Sequence, residues 1–135
     1  KTSYFMGKFM GKFADATSYS EHTRVWVMFR YAEILLNFAE AENEYLDTPS
    51  KDVYDAIRML RKRAGIKAGK TGCKYGLPDG MTKDEMRKVI QNERRIELAF
   101  EEHRFYDIRR WRIAEEVFAK PLQGMNITVG SGQTV

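Results

Sequence analysis

The stretch NERRIELAFEEHRFYDIRRW, residues 92–111, brings carboxylates and guanidinium groups together at spacings that could support chemistry. Glu93 and Glu97 stand one helical turn apart, close enough for two carboxyl groups to share acid–base work. Arg94 and Arg95 lie between them, and a neighbouring guanidinium lowers a carboxylate pKa instead of poising it near neutrality. The pattern therefore predicts ion pairing. Glu93, Arg94, Arg95, Glu97, Arg104, Asp107, Arg109 and Arg110 are expected to tie helices to one another, partly buried and multiply hydrogen-bonded.

Other chemistry-bearing residues assemble less. His22 and His103 are far apart in sequence and lack the HExxH or Cys/His spacing of a zinc site, so neither a metal nor a cofactor is expected. Cys73, the single cysteine, has no identifiable base beside it. GIKAGKT at 65–71 looks like a phosphate-binding loop, but three residues separate its glycines where that loop requires four. Trp26, Trp111, Tyr4 and Tyr75 could stack on sugar rings, and Tyr75, set among glycines, is the one expected to be exposed. No nucleophile, base and orienting group can be assembled from these residues, and an enzyme is the least supported class.

Charge is unevenly placed. Residues 51–74 hold eight bases against two acids, whereas 82–115 hold nine bases and eight acids. The second balance suits internal pairing and does not suit a phosphate-binding stripe, so nucleic acid is not an expected partner. The basic excess falls at a helix end and in a solvated loop, where it is ordinary.

The elements that must position these groups follow from apolar periodicity. The 135 residues suit one domain, 1–135, with 43% hydrophobic content arguing for a folded core. Phe5, Phe9 and Phe13 alternate with Met and Lys and suggest an extended lead-in over 1–23. Helices are expected at about 29–45, 51–64, 83–101 and 104–118. Their inward faces are Phe29, Ala32, Leu35, Leu36 and Ala39; then Val53, Ile57 and Leu60; then Met86, Val89, Ile90, Ile96 and Phe100; then Phe105, Ile108, Trp111 and Val117 or Phe118. Pro49 and Ser50 open the second helix, Gly65 closes it, and Thr82 with Glu85 forms a capping box for the third. The first two helices make a hairpin. Five glycines and a proline mark 65–81 as a loop, and 119–135 reads as an irregular tail. The fold class is all-α. The chain opens at Lys1 without a Met or a basic-then-apolar leader, which fits either a processed chain or a piece of a longer one.

Three segments, RYAEILLNFAEAENE at 30–44, AIRMLRKRAGI at 56–66 and ERRIELAFEEHRFYDIRRW at 93–111, resemble in the right order the signature segments of the SusD/RagB family. That resemblance implies a C-proximal portion of a cell-surface lipoprotein of Bacteroidetes that binds starch-type or other glycans. Such proteins sit on the outer membrane as a lid over a SusC-type TonB-dependent transporter, and their scaffold is built of tetratricopeptide-like helical hairpins. It also implies that most glycan contacts lie outside these motifs, leaving Tyr75 as a weak candidate. The family usually has Gly where this chain has Glu102, and NITVGSGQTV stops short of the family's closing segment. Two rivals stay open: a tetratricopeptide-like protein-interaction module, and a polyanion-binding helical domain using 58–74.

Overall fold

A computed structural model describes residues 7–9, 26–121 and 123–124. Its elements run α1 (Tyr31–Tyr45), α2 (Lys51–Arg63), β1 (Gly69–Lys70), β2 (Cys73–Lys74), β3 (Leu77–Pro78), α3 (Lys83–Glu97), α4 (His103–Arg110) and α5 (Ala114–Phe118). The body is mostly helical, as the periodicity predicts. The chain divides into two compact units, one spanning Val27–Tyr106 and the other comprising Lys1–Trp26 with Asp107–Val135. No helix among the described residues is long and apolar enough to cross a membrane.

In the first unit, α1 packs against both α2 and α3. It buries Ala32, Leu36, Ala39 and Asn43, spaced to lie on one side of the helix. Alanines at Ala32, Ala39 and Ala56 let the helices approach closely, and Leu36, Val53, Ile57, Met86 and Ile90 fill the space between them. Phe29, expected on the inner stripe, precedes the helix and is 77% exposed. A second apolar row, Tyr31, Ile34, Phe38 and Tyr45, is exposed on the side of α1 about 150° from the buried stripe.

The ends of α2 and the start of α3 follow their capping residues. Ser50 Oγ accepts from the Val53 N–H at 3.2 Å and donates to Glu42. Arg61, Lys62 and Arg63 occupy the last turn of α2, where cations meet the negative helix end. Gly65, at φ +84, lets the Ile66 and Gly65 N–H groups reach back to the Arg61 and Lys62 carbonyls at 3.0 and 3.1 Å. At α3, Thr82 and Glu85 form the reciprocal capping box. The Thr82 hydrogen bonds hold the Glu85 carboxyl below its usual range.

Several expectations change where helices stop. Helix α3 ends at Glu97, and the chain turns through left-handed residues Phe100 and Glu102. Ile96 and Phe100 are each 61% exposed. The buried stripe runs Met86, Ile90, Arg94 and on to Leu98, which puts Ile96 about 120° away from Ile90. The expected helix 104–118 is two helices. Arg112, at φ +59, breaks it, with the Arg112 and Ile113 N–H groups closing on the Arg109 and Ile108 carbonyls, each at 3.0 Å. Ile108 is buried, Trp111 half-buried, and Phe105 and Phe118 exposed.

The segment 65–81 has more order than a loop. Its three two-residue strands form an antiparallel ribbon in the order β1-β2-β3, pairing Lys70 with Cys73 and Lys74 with Leu77. Tyr75 and Gly76, both at positive φ, make the tight turn between β2 and β3. Leu77 is fully buried and fastens the ribbon to the helical core. Strands this short give no period that a sequence reading could detect. Of the lead-in, only 7–9 are described, and Phe9, at φ +62, is left-handed there instead of extended. Tyr4, His22 and most of 119–135 lie outside the described residues.

Candidate functional site

The first unit's charged side chains converge on the helix ends. Arg30, just before α1, donates from Nε and Nη2 to both Glu101 oxygens at 2.8 and 2.6 Å, and from Nη1 to Glu97 Oε1 at 2.7 Å. Its Nη2 also donates to the Glu97 carbonyl at 2.9 Å, satisfying an otherwise open acceptor at the end of α3. The Glu101 hydrogen bonds push the Arg30 pKa above its already high value. Arg63, from α2, reaches the other oxygen of Glu97. One carboxylate thus joins the start of α1, the end of α2 and the end of α3.

Two further junctions repeat the device. Arg61 donates from Nε to Glu93 at 2.9 Å and from Nη1 to the Tyr75 and Gly76 carbonyls at 3.1 and 3.0 Å, holding α2 to α3 and to the ribbon turn. Arg87 grips Glu44 with two hydrogen bonds at 2.6 and 2.7 Å, and Lys83 donates to the Glu44 carbonyl at 2.7 Å. The Arg87 contact holds the Glu44 carboxyl below its ordinary value. Below these, Arg94 is 4% exposed and donates to Asn37 Oδ1 at 2.6 Å, with Glu40 at 3.7 Å.

The structure thus distributes the eight expected network residues. Glu93, Arg94 and Glu97 enter the junctions just described. Asp107 is buried and accepts from Arg110 Nη2 at 2.9 Å in the second unit. Arg104 is half-buried, while Arg95, Arg109 and Arg110 are exposed, contrary to the partly buried positions expected for them. Arg95 lies next to the buried Arg94 and so points away from the stripe that faces α1. Arg30, Arg61, Arg63, Arg87, Glu44 and Glu101 escaped the sequence reading. Their pairings across the helix junctions span 32 to 71 residues, a separation that local spacing cannot detect.

Tyr75 is half-buried, and its backbone is bound by Arg61. A cleft of about 390 Å³ opens between α1 and α2, lined by Arg30, Tyr31, Ala32, Leu35, Met59, Leu60 and Arg63. Its walls are apolar, and both rim arginines are committed to Glu97. It could receive an apolar side chain but offers no acid–base pair.

The model of the SusD family, SusD_RagB, matches residues 1–135. Among curated proteins of Formosa agariphila, SusD-like protein P2 is 40% identical over 98 residues, which cover 73% of this chain and 19% of that protein. SusD-like protein P25 is 34% identical over 113 residues, 84% of this chain and 20% of that protein. SusD-like protein P38 is 35% identical over 101 residues, 73% of this chain and 19% of that protein. The chain thus spans about a fifth of the length of these relatives. No solved structure matches it. With the signature segments on α1, α2, α3 and α4 and a family match running from end to end, the chain belongs to the SusD family.

Proposed function

We propose that this chain is the helical scaffold of a SusD-like glycan-binding protein that captures oligosaccharides at the cell surface for import through a SusC-type TonB-dependent transporter. The observation that carries the reading is the family match over all 135 residues. The ion-pair junctions support the scaffold role. Glu93, Glu97 and Glu101 are each bound by arginine, a setting that fixes geometry. The exposed row Tyr31, Ile34, Phe38 and Tyr45 suits a helix that packs against further polypeptide. The protein binds glycan without cleaving it and is held at the outer membrane by a lipid anchor.

The α1–α2 cleft favours one second reading, a tetratricopeptide-like module that takes an apolar side chain of a partner peptide. Affinity purification of the tagged full-length protein from outer membranes separates the two. The capture reading expects co-purification of a TonB-dependent transporter, and recovery of added oligosaccharide bound and chemically intact. Absence from the outer-membrane fraction, or recovery of peptide partners without transporter or glycan, would contradict it.

A further inference from the structure

The turn from α3 to α4 holds two residues in a conformation that their side chains oppose. Phe100, at φ +63, and Glu102, at φ +66, both stand in the left-handed region, where a Cβ crowds the following carbonyl oxygen. For a residue as bulky as phenylalanine this is a genuine outlier. Side-chain burial does not offset it, because Phe100 is 61% exposed and Glu102 is exposed as well. Within the turn the Glu101 N–H donates to the Leu98 carbonyl at 3.1 Å. Backbone strain of this kind persists only where the surroundings hold it in place.

The hold comes from the start of α1. Glu101 lies between the two strained residues, and its carboxylate accepts two hydrogen bonds from Arg30, at 2.8 and 2.6 Å, in the paired geometry that makes such contacts strong. The same guanidinium is fixed by the Glu97 carboxylate and carbonyl, at 2.7 and 2.9 Å. The Arg30 side chain is 19% exposed and that of Glu101 8%, so water competes weakly for these bonds. Leu98 anchors the near end of the turn in the core. At its far end His103 Nε2 stands 3.7 Å from Glu33 Oε2, a looser tie between α4 and α1.

We infer that residues 98–103 form a strained latch, held shut by Arg30 on Glu101, whose release frees the first turn of α4 from α1 while α1, α2 and α3 stay packed. Opening relieves the strain at Phe100 and Glu102. It also costs little apolar burial, because Phe100, Phe105 and Tyr106 are already exposed. A segment so placed opens at lower free energy than the helices behind it, and moving elements are drawn from that class. The unit Val27–Tyr106 ends within α4, so the latch governs whether the chain leaves that unit along a fixed or a free path. Arg30 also lines the α1–α2 cleft, so latch and cleft share a residue.

Amide hydrogen exchange on the full-length protein tests this with three variants. Arg30→Ala and Glu101→Gln remove the clasp from either side, and Glu101→Gln/Phe100→Gly/Glu102→Gly removes clasp and strain together. In the first two, protection over 98–106 should fall about tenfold, as expected when charge-assisted hydrogen bonds are lost, while amides around Leu36, Ile57 and Ile90 keep theirs. The two glycines should restore most of the protection lost in Glu101→Gln, because an unstrained turn stays closed under a weaker hold. Circular dichroism checks that each variant folds, and if Arg30→Ala does not, the two Glu101→Gln variants carry the comparison. Unchanged protection over 98–106, or an equal loss across α1, α2 and α3, would overturn the latch. So would a glycine variant that exchanges as fast as Glu101→Gln, since the turn would then hold no strain to release.

Discussion

Arg94 and Arg95 are neighbours of one type with opposite surroundings. Arg94 is buried against Asn37 and Glu40, and Arg95 is exposed. Removing a buried guanidinium leaves its partners unpaired in a low-dielectric site, so Arg94→Ala should cost about 3 kcal/mol. Arg95→Ala should change stability by about 0.5 kcal/mol at most. Urea unfolding of the two variants measures the contrast, and similar losses would mean that burial does not set the energetics here. Glu44 gives a pH-dependent counterpart. Its folded-state pKa lies below the ordinary 4.5 because of Arg87, so its contribution is fully present above that value and is lost as pH falls through the folded pKa. Glu44 is well exposed, which keeps the effect small. Melting temperature followed from about pH 5 to about pH 3 should fall less steeply in Glu44→Gln than in the unsubstituted protein. Identical slopes would show that this pair does not contribute to acid sensitivity. That residues 92–111 are built for pairing was legible from their composition. Which arginine turns inward was not, because Arg30 and Arg61 lie 67 and 32 residues from the glutamates they bind.

Among the elements, α2 and the start of α3 were the most legible, because Ser50, Gly65, Thr82 and Glu85 state their boundaries in local chemistry. The breaks at Phe100, Glu102 and Arg112 were not, since each puts a non-glycine residue in the left-handed region that sequence reading reserves for glycine. Glu102, at φ +66, holds a backbone conformation that glycine adopts without strain. Glu102→Gly should therefore stabilise the turn between α3 and α4 by roughly 0.5–1 kcal/mol, the left-handed strain relieved outweighing the added chain entropy. Thermal unfolding would check this, and a lower melting temperature would show that the Glu102 side chain makes a compensating contact. The ribbon permits the opposite test. At Gly69, φ is +77 and a Cβ would lie 2.6 Å from the Cys73 carbonyl oxygen, so Gly69→Ala must distort the β1–β2 pairing. Amide exchange should accelerate across 68–78 while α1 and α3 keep their protection. Unchanged exchange in the ribbon would contradict the close packing of these strands.

At the scale of the molecule, the unit Val27–Tyr106 is fastened by ion pairs at its helix ends, and the chain belongs to the SusD family. The all-α class and the family were both legible from three segments, because those segments carry the helix faces and the pairing residues together. The central claim is capture of glycan by the protein to which this scaffold belongs. A glycan array probed with the full-length protein tests it most directly. Retention of at least one oligosaccharide class, recovered uncleaved and with binding insensitive to Arg95→Ala, is the expected result. An array with no retained glycan, under conditions where the protein is folded and membrane-associated, would contradict it.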